Sequence, residues 1–184
     1  PETDLKGKVA VVTGANTGIG KATATLLAKL GATVILACRS RKRAIKAIRE
    51  IEKNTEGETT LSFVHLDLLS LNSVRQCAEK IKAKYSTLDM LFLNAGLPLC
   101  EDMPYHPDMP CNTVFAVNFV AQWYLSTLLI ELLQNSESAR VIGLSSVFHH
   151  SANPDLIFKE VEVLRNGYPQ LVCDAQYPES KLAF

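Results

Sequence analysis

With 184 residues, 47% of them hydrophobic and 21% charged, the chain can bury the core of one globular domain and is too apolar for intrinsic disorder. Nineteen basic residues balance nineteen acidic ones, which leaves no global field to recruit nucleic acid or an anionic membrane surface. Five scattered cysteines (Cys38, Cys77, Cys100, Cys111 and Cys173) include no C-x-x-C pair, so neither a disulfide framework nor a zinc site is expected, and a reduced, cytoplasmic compartment fits best.

No uncharged apolar run reaches membrane-spanning length, and the polar start Pro1-Glu2-Thr3-Asp4 is unlike a signal peptide. The missing initiator Met suggests processing or trimming, which leaves room for a membrane anchor in an absent segment.

Val9 to Val12 is a β-branched apolar run broken by Thr13-Gly14, and it reads as a buried strand. Gly14, Gly18 and Gly20 lead into helical spacing at Ile19, Ala22, Leu26, Leu27 and Leu30. A strand, glycine turn and helix in that order bring bare backbone N–H groups and the positive end of a helix to one point, where a pyrophosphate can approach. Gly31 stands where a C-terminal cap is expected, and Thr33 to Ala37 is a second strand. The basic run Arg39-Ser40-Arg41-Lys42-Arg43 opens a helix with apolar positions Ala44, Ile45, Ile48 and Ile51, ended by Asn54 and Gly57.

Leu61 to His65 is a third strand running into Asp67-Leu68, and Asn72 to Tyr85 a third helix. Met90 to Leu93 is strand four, closed by Asn94-Ala95-Gly96, and the prolines of Leu97 to Pro110 forbid regular structure. One long apolar helix is expected over Asn112 to Leu133, followed by a fifth strand, Val141 to Leu144. This alternation predicts an α/β, Rossmann-like doubly wound parallel sheet flanked by helices, in one domain spanning 1–184. Ser145 to Gln176 departs from the rhythm, with a short apolar pattern around Leu156 to Leu164 and a turn at Asn166-Gly167-Tyr168-Pro169. Tyr177-Pro178-Glu179-Ser180-Lys181 should then start a helix.

Tyr177 and Lys181, four positions apart, share a face of that helix. An ammonium beside a phenol favours the phenolate, so the pair is a candidate acid/base, although such pairs are also ordinary on surfaces. Ser145 and Ser146 close strand five at the sheet edge where open α/β folds place ligands; either can hold a reacting oxygen or cap a loop. Asn118, in an apolar helix, must tie backbone together or order water near a reaction centre. Asp67 can accept from an adenine amino group or simply form a turn. The basic residues up to Lys46 read mainly as a solvated face. Arg39 differs because it directly follows strand two, where an acid would bind a ribose 2′-hydroxyl and an arginine pairs with a 2′-phosphate. NADP(H) is therefore favoured over NAD(H). His65, His106, His149 and His150 show no ligand spacing, and no metal is expected.

Together these residues resemble the short-chain dehydrogenase/reductase superfamily: Thr13-Gly14-Ala15-Asn16-Thr17-Gly18-Ile19-Gly20 for the cofactor turn, Asp67-Leu68, Asn94-Ala95-Gly96, and Asn118, Ser146, Tyr177 and Lys181. Leu36-Ala37-Cys38-Arg39 and Ser145-Ser146-Val147-Phe148-His149-His150 look like its retinol dehydrogenase and WW-domain oxidoreductase branch. The resemblance implies an oxidoreductase that interconverts a carbonyl and an alcohol on a small retinoid-, steroid- or lipid-like substrate. Tyr177 would exchange the proton, while Lys181 would tune Tyr177 and bind the nicotinamide ribose. Ser146 would position the substrate oxygen, and Asn118 would hold a water. Pairing of two copies through the long helix is a family habit.

Two departures stand out. Ser146 and Tyr177 lie 31 positions apart, longer than the family interval. The chain also stops where the family's next helix begins, so it is expected to lack the last strands. The competing expectation is a catalytically idle nucleotide-binding interaction module, or a nonproductive truncated form.

Overall fold

A computed structural model describes residues 4–55, 58–98, 109, 111–157 and 177–183. Its strands are β1 (Val9–Thr13), β2 (Thr33–Cys38), β3 (Thr60–His65), β4 (Met90–Leu93) and β5 (Arg140–Gly143). They pair in parallel throughout, in the order β3-β2-β1-β4-β5. β1 lies at the centre and is buried along its whole length, which is why it is an unbroken apolar run.

Strand pleating sends alternate side chains to opposite faces, and each face has its own core. Ala10, Val12, Val34 and Leu36 meet α1 (Gly18–Lys29) and α2 (Arg41–Lys53) through Ala24, Leu27, Ala44, Ile48 and Ile51. Val11, Ile35, Leu91 and Leu93 meet α3 (Leu71–Lys82) and the helical segment 113–134 through Val74, Cys77, Ile81, Leu125 and Leu129. β5 is the more exposed edge.

Helix boundaries follow local chemistry. Ser40 caps α2 by accepting the Arg43 N–H, so α2 begins at Arg41 rather than at Arg39. Ser70 caps α3 by accepting the Ser73 N–H, and Gly31 takes the expected left-handed turn after α1 at φ +88°.

The long helix expected over Asn112 to Leu133 is not one helix. It consists of α4 (Thr113–Phe115), a wider π-turn (Ala116–Val120), α5 (Ala121–Leu128) and α6 (Ile130–Gln134). In the π-turn the Ala121 N–H reaches back five residues to Ala116 O. Leu129 breaks the run at φ −97°, ψ 4°; the break turns Leu129, Leu132 and Leu133 into the core and brings Leu132 O to the Leu88 N–H at 2.9 Å.

After β5 come a 3₁₀ turn (Val147–Ser151) and one helical turn at 154–157, with α7 (Tyr177–Leu182) near the chain's end. Gly57, most of the Leu97 to Pro110 loop, the segment beyond Ile157 to Leu164 and the Asn166 to Pro169 turn lie outside the described residues.

Candidate active site

In the strand order β2-β1-β4 the chain leaves β1 towards β2 on one side and reaches β4 on the other. This is the switch point of an open α/β sheet, and a crevice opens there at the carboxyl ends of the strands. The segments that follow β1 and β4 form its two banks.

Gly14 adopts φ +66°, and a Cβ there would stand 3.0 Å from Ala95 Cα; its N–H is held by Ala37 O at 2.9 Å. Gly20 has an ordinary φ but no room: a Cβ would come within 2.3 Å of Asn94 Nδ2 and 2.8 Å of Gly14 O. Gly18, at φ +55°, has open space beside it. These glycines let β1, the turn and α1 close against Asn94 and Ala95. Thr17, the residue before α1, supplies no side-chain cap, and the first turn of α1 holds no acid. Backbone donors and the positive end of the helix dipole are left for an anion, so the turn fits a pyrophosphate.

The two banks are laced together by a buried network. The N–H groups of Asn94 and Ala95 each donate to Thr13 Oγ1 at 2.9 Å, and Asn94 Nδ2 donates to Thr13 O at 2.8 Å. The Thr13 hydroxyl donates to Gln122 Oε1 at 2.7 Å, and Gln122 Nε2 donates to Ala95 O at 2.7 Å and Asn118 O at 3.1 Å. Gln122 is fully buried. Sequence reading missed it, because a glutamine among apolar helical residues looks like an exposed position; its helical offset of four from Asn118 was the available signal.

Asn118, at the π-turn, is also fully buried. Its Oδ1 accepts the Leu97 N–H at 2.7 Å, and its Nδ2 donates to Leu97 O at 3.0 Å and Ser180 Oγ at 3.1 Å. The Ser180 hydroxyl in turn donates to Tyr177 O at 2.7 Å. Asn118 thus ties the exit of β4 to α7.

On α7, Lys181 is buried and donates to Leu144 O at 2.7 Å, and its Nζ stands 5.6 Å from the centre of the Tyr177 ring. Burial holds the Lys181 ammonium below the ordinary lysine range. A Cβ on Gly96 would crowd Asn118 Oδ1 at 3.1 Å, and Lys181 Nζ lies in ordinary contact range of the same point at 3.7 Å.

The Ser145 hydroxyl donates to Lys181 O at 2.6 Å. Ser146 Oγ instead caps the 3₁₀ turn, accepting the Phe148 N–H at 3.4 Å.

Gly14, Asn16, Thr17, Gly18, Ile19, Gly20, Asn94, Ala95, Gly96, Tyr177 and Lys181 line one cavity of about 600 Å³, with Leu144 and Ser145 on its wall. An adjoining cavity of about 380 Å³ shares Gly14, Asn16, Ala95 and Gly96 and extends to Arg39, Asp67 and Leu68. Arg43, read from sequence as part of a solvated face, lines this second cavity too. Asp67 does form a turn, with Oδ1 accepting the Leu69 N–H at 3.1 Å, while remaining on the cavity wall. Ser146 and Asn118 are not on either wall; Asn118 lies behind the site, and Ser146 starts the turn beside it.

Two connected chambers, one beside an arginine at the end of β2 and one beside a phenol and an ammonium, have the outline of a dinucleotide groove with a reaction end. Among the described residues no helix is long and apolar enough to cross a membrane, and no three metal-ligating side chains converge.

Residues 8–157 match the model of the short chain dehydrogenase family. The chain is 37% identical over 182 residues to human retinol dehydrogenase 13, a match covering 97% of this chain and 52% of that one. It is 43% identical over 150 residues to cattle retinol dehydrogenase 12, covering 81% and 46%. It thus spans about half the length of these relatives. Among solved structures, a short chain dehydrogenase from Shigella flexneri complexed with NADP superposes with a TM-score of 0.73 at 26% identity, over 100% of this chain and 70% of that one. One from Escherichia coli complexed with NADPH superposes with 0.74 at 27% identity, over 100% and 70%. Strand order, glycine turn, Asn94-Ala95-Gly96 and the Tyr177–Lys181 pair agree with these likenesses: the chain belongs to the short-chain dehydrogenase family, on its retinol dehydrogenase branch.

Proposed function

We propose that the chain forms the nucleotide-binding and catalytic part of an NADP(H)-dependent oxidoreductase that interconverts a carbonyl and an alcohol on an apolar retinoid-, steroid- or lipid-like substrate. The observation that carries this reading is the shared wall: Tyr177 and Lys181 line the same cavity as Gly14, Gly18, Gly20 and Asn94. When bound, the nicotinamide supplies or accepts the hydride.

The chain's own residues do the rest. The glycine turn and the α1 N-terminus bind the pyrophosphate, and Asp67 and Leu68 meet the adenine. Arg39, with Arg43 beside it, meets the 2′-phosphate. Tyr177 gives its phenolic proton to the substrate oxygen in reduction and takes it back in oxidation. Lys181, with its Nζ 5.6 Å from the centre of the Tyr177 ring, hydrogen-bonds the nicotinamide ribose beside the phenol. Ser146 orients the substrate oxygen: the Ser145 hydroxyl is committed to Lys181 O, whereas Ser146 Oγ only accepts from Phe148 and keeps its own proton to donate. Asn118 holds α7 to the end of β4, and the second lone pair of its Oδ1 can carry a water leading from Lys181.

The curated retinol dehydrogenases support the substrate class, and the two NADP(H)-bound neighbours support the cofactor. Buried free thiols at Cys38 and Cys77 suit a reducing compartment such as the cytoplasm. The exposed Trp123 and Ile130 of the 113–134 segment suit pairing of two copies there, which light scattering would report.

The test is NADPH consumption by the full-length protein across retinal, steroid ketones and long-chain aldehydes, with Ser145→Ala and Ser146→Ala beside the parent. Turnover that Ser146→Ala depresses more than Ser145→Ala supports the assignment. Tight NADPH binding without turnover on any carbonyl would favour an idle nucleotide-binding module.

A further inference from the structure

Tyr177 stands on α7 and Ser146 at the exit of β5, and catalysis on the reading above needs both hydroxyls at fixed positions around one oxygen atom. The structure assigns the task of fixing them to Glu179, as a positioning residue that tethers the 147–157 segment to α7.

Glu179 lies between Tyr177 and Lys181 on α7 and is only 6% exposed. A carboxylate that deeply buried is costly unless it is hydrogen-bonded, so its place calls for a reason. Its Oε1 accepts the backbone N–H of Asn153 at 3.0 Å. Asn153 lies two residues beyond the 3₁₀ turn Val147–Ser151, whose cap is Ser146 itself. Two further contacts join the same segments: the Ser145 hydroxyl on Lys181 O at 2.6 Å, and the Phe148 ring edge-on to Tyr177 at 6.0 Å and 74°. Ser145 fixes the near end of the segment and Glu179 the far end. Between these two points the turn carrying Ser146 cannot swing away from the phenol.

The tether is separable from fold stability. Asn153 is exposed, so its N–H can turn to water at little cost if the carboxylate is removed. What is lost is alignment, and small misplacements of reacting groups lower turnover by roughly tenfold to a hundredfold. The role needs an acceptor at Oε1 rather than a charge, so an amide in the same place should serve.

This inference rests on the catalytic reading of Tyr177 and Ser146, and the experiment separates the two. In the full-length protein, Glu179→Ala should lower kcat roughly tenfold or more with the KM for NADPH unchanged, and Glu179→Gln should restore kcat to within about twofold. Asn153→Pro deletes the donor without touching α7; Ala152, at φ −71° and ψ 147°, already has the backbone that precedes a proline. It should reproduce the kcat loss, whereas Asn153→Ala, which keeps the N–H and loses the same Oδ1 contact to the Asp155 N–H, should keep the parent's kcat and melt at the same temperature as Asn153→Pro. Glu179→Gln as impaired as Glu179→Ala, or Asn153→Pro turning over like the parent, would overturn the tether. Should Glu179→Ala not fold, the Asn153 pair decides alone. Tyr177→Phe run alongside identifies which idea has failed: if it is inactive while Asn153→Pro is unaffected, the tether is wrong and the catalytic reading stands; if it is active, the catalytic reading itself is wrong.

Discussion

The Thr13 hydroxyl donates to Gln122 Oε1 at 2.7 Å while accepting the N–H groups of Asn94 and Ala95, so a side chain from α5 sets the spacing between the ends of β1 and β4. Replacing Gln122 by Leu leaves the Thr13 hydroxyl only the longer contact to Phe92 O at 3.3 Å and leaves Ala95 O and Asn118 O one donor short. The variant should lose about 1–3 kcal/mol of stability, read as a lower urea midpoint at unchanged slope. A midpoint equal to the parent's would mean that these groups find other partners.

Much of this site was legible before any coordinates. The apolar run ending at Thr13-Gly14 and the Tyr177–Lys181 spacing are local signals, and both led to the same cavity. The segment 113–134 was not legible in detail. Its residues are apolar on every side, so neither the π-turn at Asn118 nor the break at Leu129 leaves a mark in the hydrophobic pattern; both are set by what the segment packs on. Gln122 and Glu179 escaped notice for a related reason. Their types predict exposure, and only tertiary hydrogen bonds make their burial tolerable. Which of Ser145 and Ser146 faces which partner likewise depends on α7, far along the chain.

The glycine turn can be dissected by adding single methyl groups. Gly20→Ala would drive a Cβ into Asn94 Nδ2 and Gly14 O, breaking the bond from Asn94 to Thr13 O and narrowing the groove. Gly18→Ala meets nothing and bears only the left-handed backbone cost of about 1–2 kcal/mol. Calorimetric titration with NADPH should show Gly20→Ala the weaker binder and thermal unfolding should show it the less stable fold. The reverse order would contradict the packing described.

Cofactor choice rests on Arg39, which lines the chamber with Asp67 and Leu68. Removing a guanidinium from a 2′-phosphate should cost about 1.5–3 kcal/mol of NADPH binding, and NADH, which lacks that phosphate, should change little. Equal losses for the two cofactors in Arg39→Ala would exclude the contact.

At the opposite end of the sheet, burial pushes the Asp89 carboxyl up. The Val9 N–H at 2.8 Å, the Ser136 hydroxyl at 2.7 Å and the Lys8 ammonium at 3.0 Å together outweigh burial and hold it below the ordinary aspartate range. A carboxyl whose folded pKa is depressed stabilises the fold above its unfolded value of about 3.9, and that stabilisation is lost as pH falls through the folded value. Asp89→Asn should therefore be less stable than the parent at pH 7, with the gap closing towards pH 3. Urea midpoints at the two pH values measure it; a gap of constant size would contradict the assignment.

The most direct measurement is rapid-mixing absorbance of NADPH with a carbonyl substrate in the full-length protein, comparing parent with Tyr177→Phe. Proton supply from the phenol predicts that Tyr177→Phe binds NADPH as tightly as the parent and transfers hydride more than a hundredfold more slowly, in keeping with the scale of general acid catalysis. Hydride transfer at the parent's rate by Tyr177→Phe would contradict it.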